Sequence, residues 1–189
     1  QGAVAGTTRT GLLDYFNAIE SSGLPGLMSE PPRLRRPLLQ SYVDQVVRKD
    51  LPEQGLAVRR PETLRRWLAA YAAATSSTAA YSRILDGATA GDGSQPAKTT
   101  TIAYRDHLTQ LFLLDPVPGW SPSRSPLRRL QQAPKHQLAD PGLAAAILGL
   151  GAQSLLSPRG AHLAGPLFEA LATLSVRVAA QAAQSLVGH

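Results

Sequence analysis

Apolar residues recur three and four positions apart along most of the chain, and a proline or glycine interrupts each run. This spacing places apolar side chains on one face of a helix, whereas a half-buried strand needs strict alternation. Leu64, Trp67, Leu68 and Tyr71 form one such stripe, and Pro61 stands where a helix would begin. The pattern therefore predicts a mainly α fold, a helical bundle.

Seven helices follow from the same pattern and its interruptions. Asp140 is expected to cap the sixth through its side chain, and Pro166 is expected to open the last. Two short extended runs, 112–117 and 135–139, are predicted to pair as a small β-hairpin with a long basic loop. The predicted helices are 11–22, 34–51, 61–75, 78–88, 99–112, 141–148 and 166–185.

Composition narrows the functional classes. With 43% hydrophobic residues among 189, the chain can bury a sizeable core. There is no cysteine, which excludes disulfides, thiolate metal sites and thiol nucleophiles. No uninterrupted apolar run reaches about 18 residues, so neither a membrane span nor a membrane partner is expected, and the expected compartment is the cytoplasm.

Catalytic motifs are not recognisable in the sequence. Its histidines, His107, His136, His162 and His189, lack helical ligand spacing to one another and to a carboxylate. No nucleophile elbow or phosphate-binding loop is present either. The sequence therefore predicts no catalytic residue, metal site or cofactor.

Positive charge is concentrated in one part of the chain. Lys and Arg number 19 against 13 acidic residues, a net charge of +6, and residues 33–83 alone carry ten basic residues against four acidic ones. Such a face can neutralise phosphates, dock on an acidic protein surface, or remain solvated with local ion pairs such as Glu62 with Arg65. All three readings stay open at this stage. The predicted basic face comprises Arg59, Arg60, Arg65 and Arg66.

The three helices 61–75, 78–88 and 99–112, followed by a hairpin, have the order of parts of a winged helix. In that arrangement the third helix enters the major groove through its first turns. The link before the third helix, about ten residues, is longer than the usual tight turn. Predicted nucleic-acid contacts are Lys98, Thr100, Thr101 and Arg105 on the third helix and Arg124, Arg128 and Arg129 on the wing.

Several longer motifs resemble one known family. They include GLPG at 23–26, VRKDL at 47–51, IAYRDHL at 102–108, PKHQLADPGLA at 134–144 and GPLFE at 165–169. As a set they resemble the C-terminal half of the prokaryotic predicted AAA-type ATPases, in which a domain of unknown function follows the nucleotide-binding core. The resemblance covers about residues 11–188.

The resemblance implies different roles for three parts of the chain. Residues 11–58 would be a helical lid or linker, 59–140 a winged-helix domain, and 141–189 helices that support a truncated lobe. The Walker-type core and a nuclease-like lobe are expected to be missing. ATP and Mg²⁺ are therefore expected only in that core and not in these residues.

Two functional hypotheses result. In the first, the chain is a non-catalytic module that binds DNA through its winged helix. In the second, it is an interaction or oligomerisation module that docks on the ATPase core of the same protein, on a partner subunit, or on a second copy of itself.

Overall fold

The structure, a computed structural model, describes residues 6–89, 96–119 and 132–187. Within these ranges the chain is mainly helical, which confirms the predicted class. The helices are α1 (Leu12–Ser21), α2 (Pro25–Met28), α3 (Pro32–Gln45), which continues into a π-helical turn (Val46–Asp50), α4 (Leu51–Glu53), α5 (Pro61–Ala73), α6 (Tyr81–Thr89), α7 (Lys98–Gln110), α8 (Pro141–Ile147), α9 (Ala152–Leu156) and α10 (Ala161–Val187).

The predicted cap of α8 is confirmed. Asp140 Oδ1 accepts hydrogen bonds from the backbone N–H groups of Gly142, at 2.7 Å, and Leu143, at 3.2 Å. Pro141 supplies the first helical residue, with φ already restricted to helical values. Local chemistry is thus sufficient to fix where α8 begins.

The second predicted helix does not run uniformly into Pro52. A proline has no N–H, and its ring clashes with the carbonyl four residues earlier, here that of Arg48. The backbone widens into the π-helical turn just before it, and the N–H of Leu51 bonds to the carbonyl of Val46. The wider turn accommodates the proline without ending the helical path.

The prediction that Pro166 opens the last helix was wrong. Helix α10 begins at Ala161, and Pro166 lies inside it. The proline leaves the carbonyl of His162 without its usual helical donor, while buried Leu163 and Leu167 attach this part of α10 to the core. Burial of these side chains offsets the missing hydrogen bond.

Helix α10 is also long and apolar enough to be a candidate membrane span, which the sequence analysis did not anticipate. Over Ala161–Ser185 its mean hydropathy is 1.3, and 17% of the window is buried. Its charged residues Glu169 and Arg177 form ion pairs with Lys135 and Asp115. Both charges are therefore matched by the rest of the chain.

One continuous apolar cluster forms the core. Phe16 of α1, Leu39 of α3, Leu64 of α5, Leu143 of α8 and Leu167 of α10 all belong to it. Helix α8 lies centrally and contacts α1, α3, α5 and α10. The assignment of 11–58, 59–140 and 141–189 to separate roles in a larger protein stays a prediction.

The predicted hairpin is represented only by two isolated antiparallel bridges, Leu114 with Leu138 and Val117 with Lys135. No strand forms in the part of the chain that the structure describes. Between the bridges, His136 directs its backbone groups to Ser76 and Ser77 on the opposite side. The tip of the predicted wing, 120–131, lies outside the described residues, so the winged helix is not confirmed.

Candidate nucleic-acid interface

A cleft of about 640 Å³ separates the beginning of α5 from the first two turns of α7. We refer to it as the α5–α7 cleft. Polar side chains from both helices line it, and an apolar wall completes it. Its polar lining residues are Arg59, Arg60, Thr63, Thr99 and Thr100.

Aromatic packing holds the two helices beside this cleft. The rings of Trp67 and Tyr104 meet edge to face, with centroids 6.2 Å apart. Leu108, one turn further along α7, is fully buried. Because these contacts anchor one face of α7, its first turn lies next to the start of α5.

The first turn of α7 has no side-chain cap. Its N-cap residue is Ala97, which cannot accept a hydrogen bond through its side chain. The N-terminal amides of a helix carry partial positive charge and are a common binding site for anions. Lys98 and Thr99 are exposed there, and Thr100 is half-buried.

Thr101 is less suited to the role that the sequence predicted for it. Its hydroxyl donates to the carbonyl of Lys98 at 2.8 Å, within its own helix. Lys98 itself makes no ion pair within the described ranges. Of these two predicted contacts, Lys98 keeps its donors for a ligand, whereas Thr101 uses its one donor within the helix.

The side chain of Arg105, a residue of α7, is held against Tyr81 of α6. Its guanidinium carbon lies 5.0 Å from the ring centroid of Tyr81, and its Nε donates to the Oδ1 atom of Asp106 at 3.1 Å. The side chain is 35% exposed. Arg105 therefore keeps access to a ligand, although Asp106 neutralises part of its charge.

The predicted basic face divides into two parts. Arg59 and Arg60 are exposed and line the cleft, and among the described residues Arg59 has no acidic partner. Arg65 instead pairs with Asp44 of α3, and with Glu62 at 3.5 Å. Arg66 is exposed on the second turn of α5.

The ion-pair reading of the basic face therefore holds for Arg65. Its partner Asp44 lies with it in a separate cavity between α3 and α5, away from the α5–α7 cleft. Of the predicted wing contacts, Arg124, Arg128 and Arg129 all lie outside the described residues.

Two further residues belong to this region and were missed at the sequence level. Thr63 lines the cleft, and Tyr81 supports Arg105. Thr63 follows Arg60 by three positions, a spacing that puts both on the same side of α5, so helical geometry could have indicated it. Tyr81 gives no such signal, because it meets Arg105 only in the folded chain.

Cationic and neutral polar side chains line the cleft. Burial raises the pKa of Tyr104, so its phenol stays neutral at physiological pH. Among the residues that the structure places, no three histidine, aspartate or glutamate side chains come close enough to hold a metal ion. What the cleft offers is cationic and hydroxyl donors for an anion.

Residues 13–154 match the family described as Domain of unknown function (DUF8612). The chain belongs to the DUF8612 family. The match includes both walls of the α5–α7 cleft, but nothing in it links DUF8612 to AAA-type ATPases. No curated protein and no solved structure is significantly similar to this DUF8612 chain.

Proposed function

We propose that this DUF8612 chain is a non-catalytic module that binds nucleic acid through the first turns of α7 and the α5–α7 cleft. One observation carries the proposal. Arg59 and Arg60, which precede α5, line the same cleft as Thr100 of α7. The fold thus joins two candidate phosphate-binding groups that are about forty positions apart in the sequence.

The chemistry of this surface suits a phosphate backbone. Guanidinium groups bind phosphate oxygens in a bidentate manner, and threonine hydroxyls and helix N-terminal amides add further donors. Lys98 and Arg105 add two cationic side chains on the same helix, α7. Most of these contacts reach phosphates, so the proposal implies affinity with little sequence preference.

Labelled duplex DNA, titrated by fluorescence anisotropy at two salt concentrations, tests the proposal. Each neutralised phosphate adds about 0.9 to the slope of log affinity against log salt. We expect Arg59→Glu to weaken binding by about tenfold and to lower that slope by about 1 or more. The matched control is Arg159→Glu, the same charge change at an exposed site between α9 and α10. Absence of binding by the wild-type chain at low salt would contradict the proposal.

We further propose, from the motif resemblance, that this module follows a nucleotide-binding core in a larger cytoplasmic protein of the AAA-type ATPase class. ATP and Mg²⁺ would belong to that core, which would also be a docking partner. The coding sequence on either side of this segment tests the idea. A Walker motif upstream would support it, and an upstream sequence without one would contradict it.

A second candidate function, interaction or oligomerisation, is favoured by the C-terminal half of α10. Val176 is 67% exposed and Val178 is 56% exposed on this long apolar helix. Exposed apolar surface of this kind commonly marks a contact with another protein. If a second copy covers it, Val176→Ser with Val178→Ser should convert an oligomer to a monomer in light scattering.

Charge reversal separates the two candidates. Arg59→Glu should dissociate subunits if the exposed basic residues dock on a partner. It should leave the molecular mass unchanged if the basic residues serve nucleic acid. A wild-type chain that is monomeric at all concentrations would remove the oligomerisation candidate.

A further inference from the structure

We infer that the α5–α7 cleft binds a nucleoside phosphate, with the phosphate at its polar rim and the nucleoside against its apolar wall. The inference deepens the proposed function and rests on it, because the same surface would receive an unpaired nucleotide of a strand. A free nucleotide presents the same chemistry.

Thr63 is the observation that points to a ligand. It is only 8% exposed, yet its hydroxyl makes no hydrogen bond with any part of the chain that the structure describes. The fully enclosed polar atoms without a partner in those ranges are on Tyr71, His107 and His136, and not on Thr63. The hydroxyl of Thr63 therefore keeps access to solvent, and the cleft is the space that this residue lines.

Within the described residues this hydroxyl has no protein partner, so a ligand oxygen would replace the water that meets it in the unliganded protein. Thr89 of α6 and Thr101 of α7 donate their hydroxyls to a backbone carbonyl of the preceding turn, but Thr63 does not do so within the described residues. An oxygen-bearing ligand in the cleft would satisfy the hydroxyl. This is the arrangement expected of a donor reserved for binding.

The electrostatics of the rim select a phosphate. Two helices of thirteen residues each, α5 and α7, begin at the cleft, and neither has a side-chain cap at its first turn. The exposed guanidinium of Arg59, which lines the same cleft, adds a full positive charge to the partial positive charges of these two helix ends. The acidic residue of this turn, Glu62, is directed to Arg65 at 3.5 Å.

The size and the apolar wall of the cleft select a nucleoside attached to that phosphate. Its volume of about 640 Å³ is within the range of small-molecule sites, about 300 to 1,000 Å³, and far exceeds what phosphate alone occupies. Leu56, Ala103 and Tyr104 provide apolar contact for a base or ribose. A base-paired nucleotide would have to leave its partner strand to enter.

Calorimetric titration of the chain at low salt tests the inference. The probes are adenosine 5′-monophosphate, adenosine, inorganic phosphate, a single-stranded deoxythymidine dodecamer and a blunt hairpin duplex. We expect the monophosphate to bind at least tenfold more tightly than adenosine or inorganic phosphate. Equal binding of adenosine and its monophosphate would overturn the inference.

The decisive variant is Thr63→Val, which keeps the shape of the side chain and removes the hydroxyl. We expect it to melt no lower than wild type and to bind the monophosphate about 3- to 10-fold more weakly. The matched control, Thr109→Val, alters an exposed threonine on the third turn of α7 and should bind like wild type. Unchanged binding by Thr63→Val would overturn the inference.

The same titrations distinguish a nucleic-acid strand from a free nucleotide as the ligand. They also distinguish the nucleoside-phosphate site from the proposed nucleic-acid-binding function. Competition between the dodecamer and the monophosphate supports the inference with a strand as the source. Monophosphate binding without dodecamer binding supports it with a free nucleotide as the source. Duplex binding that is unaffected by Thr63→Val, without monophosphate or dodecamer binding, overturns the inference and leaves the proposed function intact.

Discussion

The guanidinium group of Arg105 lies over the aromatic ring of Tyr81, 5.0 Å from its centroid. Tyr81 in turn packs edge-on against buried His136, with ring centroids 4.8 Å apart. The Nε2 atom of His136 lies 2.7 Å from the carbonyl oxygen of Ala79, so this ring is fixed as well. These ring contacts hold the guanidinium group of Arg105 against α6 instead of leaving it to move in solvent.

Truncation of Tyr81 should therefore weaken nucleic-acid binding without removing any cation. A cation–π contact at a partly exposed site contributes about 0.5–1 kcal/mol, so Tyr81→Ala should bind duplex about two- to fivefold more weakly in anisotropy. Tyr81→Phe keeps the ring and should bind like wild type. Equal affinity of the alanine variant and wild type would show that Arg105 need not be held in place.

Asp140 connects α8 to the loop after α1, and its loss should be strongly destabilising. Its Oδ2 accepts from the N–H of Gly23 at 2.8 Å, while Oδ1 caps α8. Since Asp140→Ala leaves the buried N–H groups of Gly142 and Leu143 without this acceptor and also removes the contact to Gly23, the free energy of unfolding should fall by about 3 kcal/mol or more in urea titrations. Asp14→Ala removes a comparable but exposed contact to Gly11 N–H and should cost about 1 kcal/mol or less. Similar losses for both variants would contradict the central role of Asp140.

Gly142 allows α8 to approach the end of α1 closely. A Cβ at this position would lie 2.5 Å from the carbonyl oxygen of Ile19 and 2.9 Å from Ser22 Cβ. The backbones would have to separate, so Gly142→Ala should lower the free energy of unfolding by about 1–3 kcal/mol. Gly26→Ala is the control, since nothing lies within 4 Å of its added Cβ. A stabilising effect of Gly142→Ala would show that this contact is looser than described.

Tyr71 should make the fold sensitive to alkaline pH. Burial, and secondarily the neighbouring Tyr81, raises the pKa of Tyr71 above its ordinary value of 10.0, and the backbone N–H of Gln137 acts in the opposite direction without cancelling this effect. Below pH 10 the phenol is neutral in both states, so its contribution to stability is complete. Above pH 10 the unfolded chain ionises first, and stability falls by about 1.4 kcal/mol per pH unit for this group.

Tyr71→Phe removes that dependence and also a buried hydroxyl without a partner among the described residues. Urea titrations at pH 8, 10 and 11 should show the variant to be as stable as wild type at pH 8 and to lose less stability above pH 10. Burial also raises the pKa of Tyr42 and Tyr104, so part of the alkaline loss should remain. Parallel pH profiles for the two proteins would contradict this role of Tyr71.

The helices that the sequence predicted best are those whose signals are local. Pro61 and Asp140 act on the turn that contains them, and the structure begins α5 and α8 where they indicate. The prediction from Pro166 was wrong because it relied on the preference of proline for the first turn of a helix. Packing of the neighbouring side chains decides instead that the helix continues through this residue. The neighbouring Leu163 and Leu167 are buried and keep the helix intact around it.

The candidate site likewise has some features that the sequence predicts and others that depend on tertiary contacts. Its positive charge and the first turn of α7 were visible in the sequence, since both depend on residue type and helical spacing. The sequence could not tell Arg59 from Arg65, because the difference lies in Asp44 on another helix. By itself the sequence determined a mainly helical chain with a basic segment. Only the tertiary structure decided which arginines face a cleft, that Thr63 has no hydrogen-bond partner for its hydroxyl among the described residues, and that Arg105 stacks on Tyr81. Each of these depends on contacts between residues far apart in the chain.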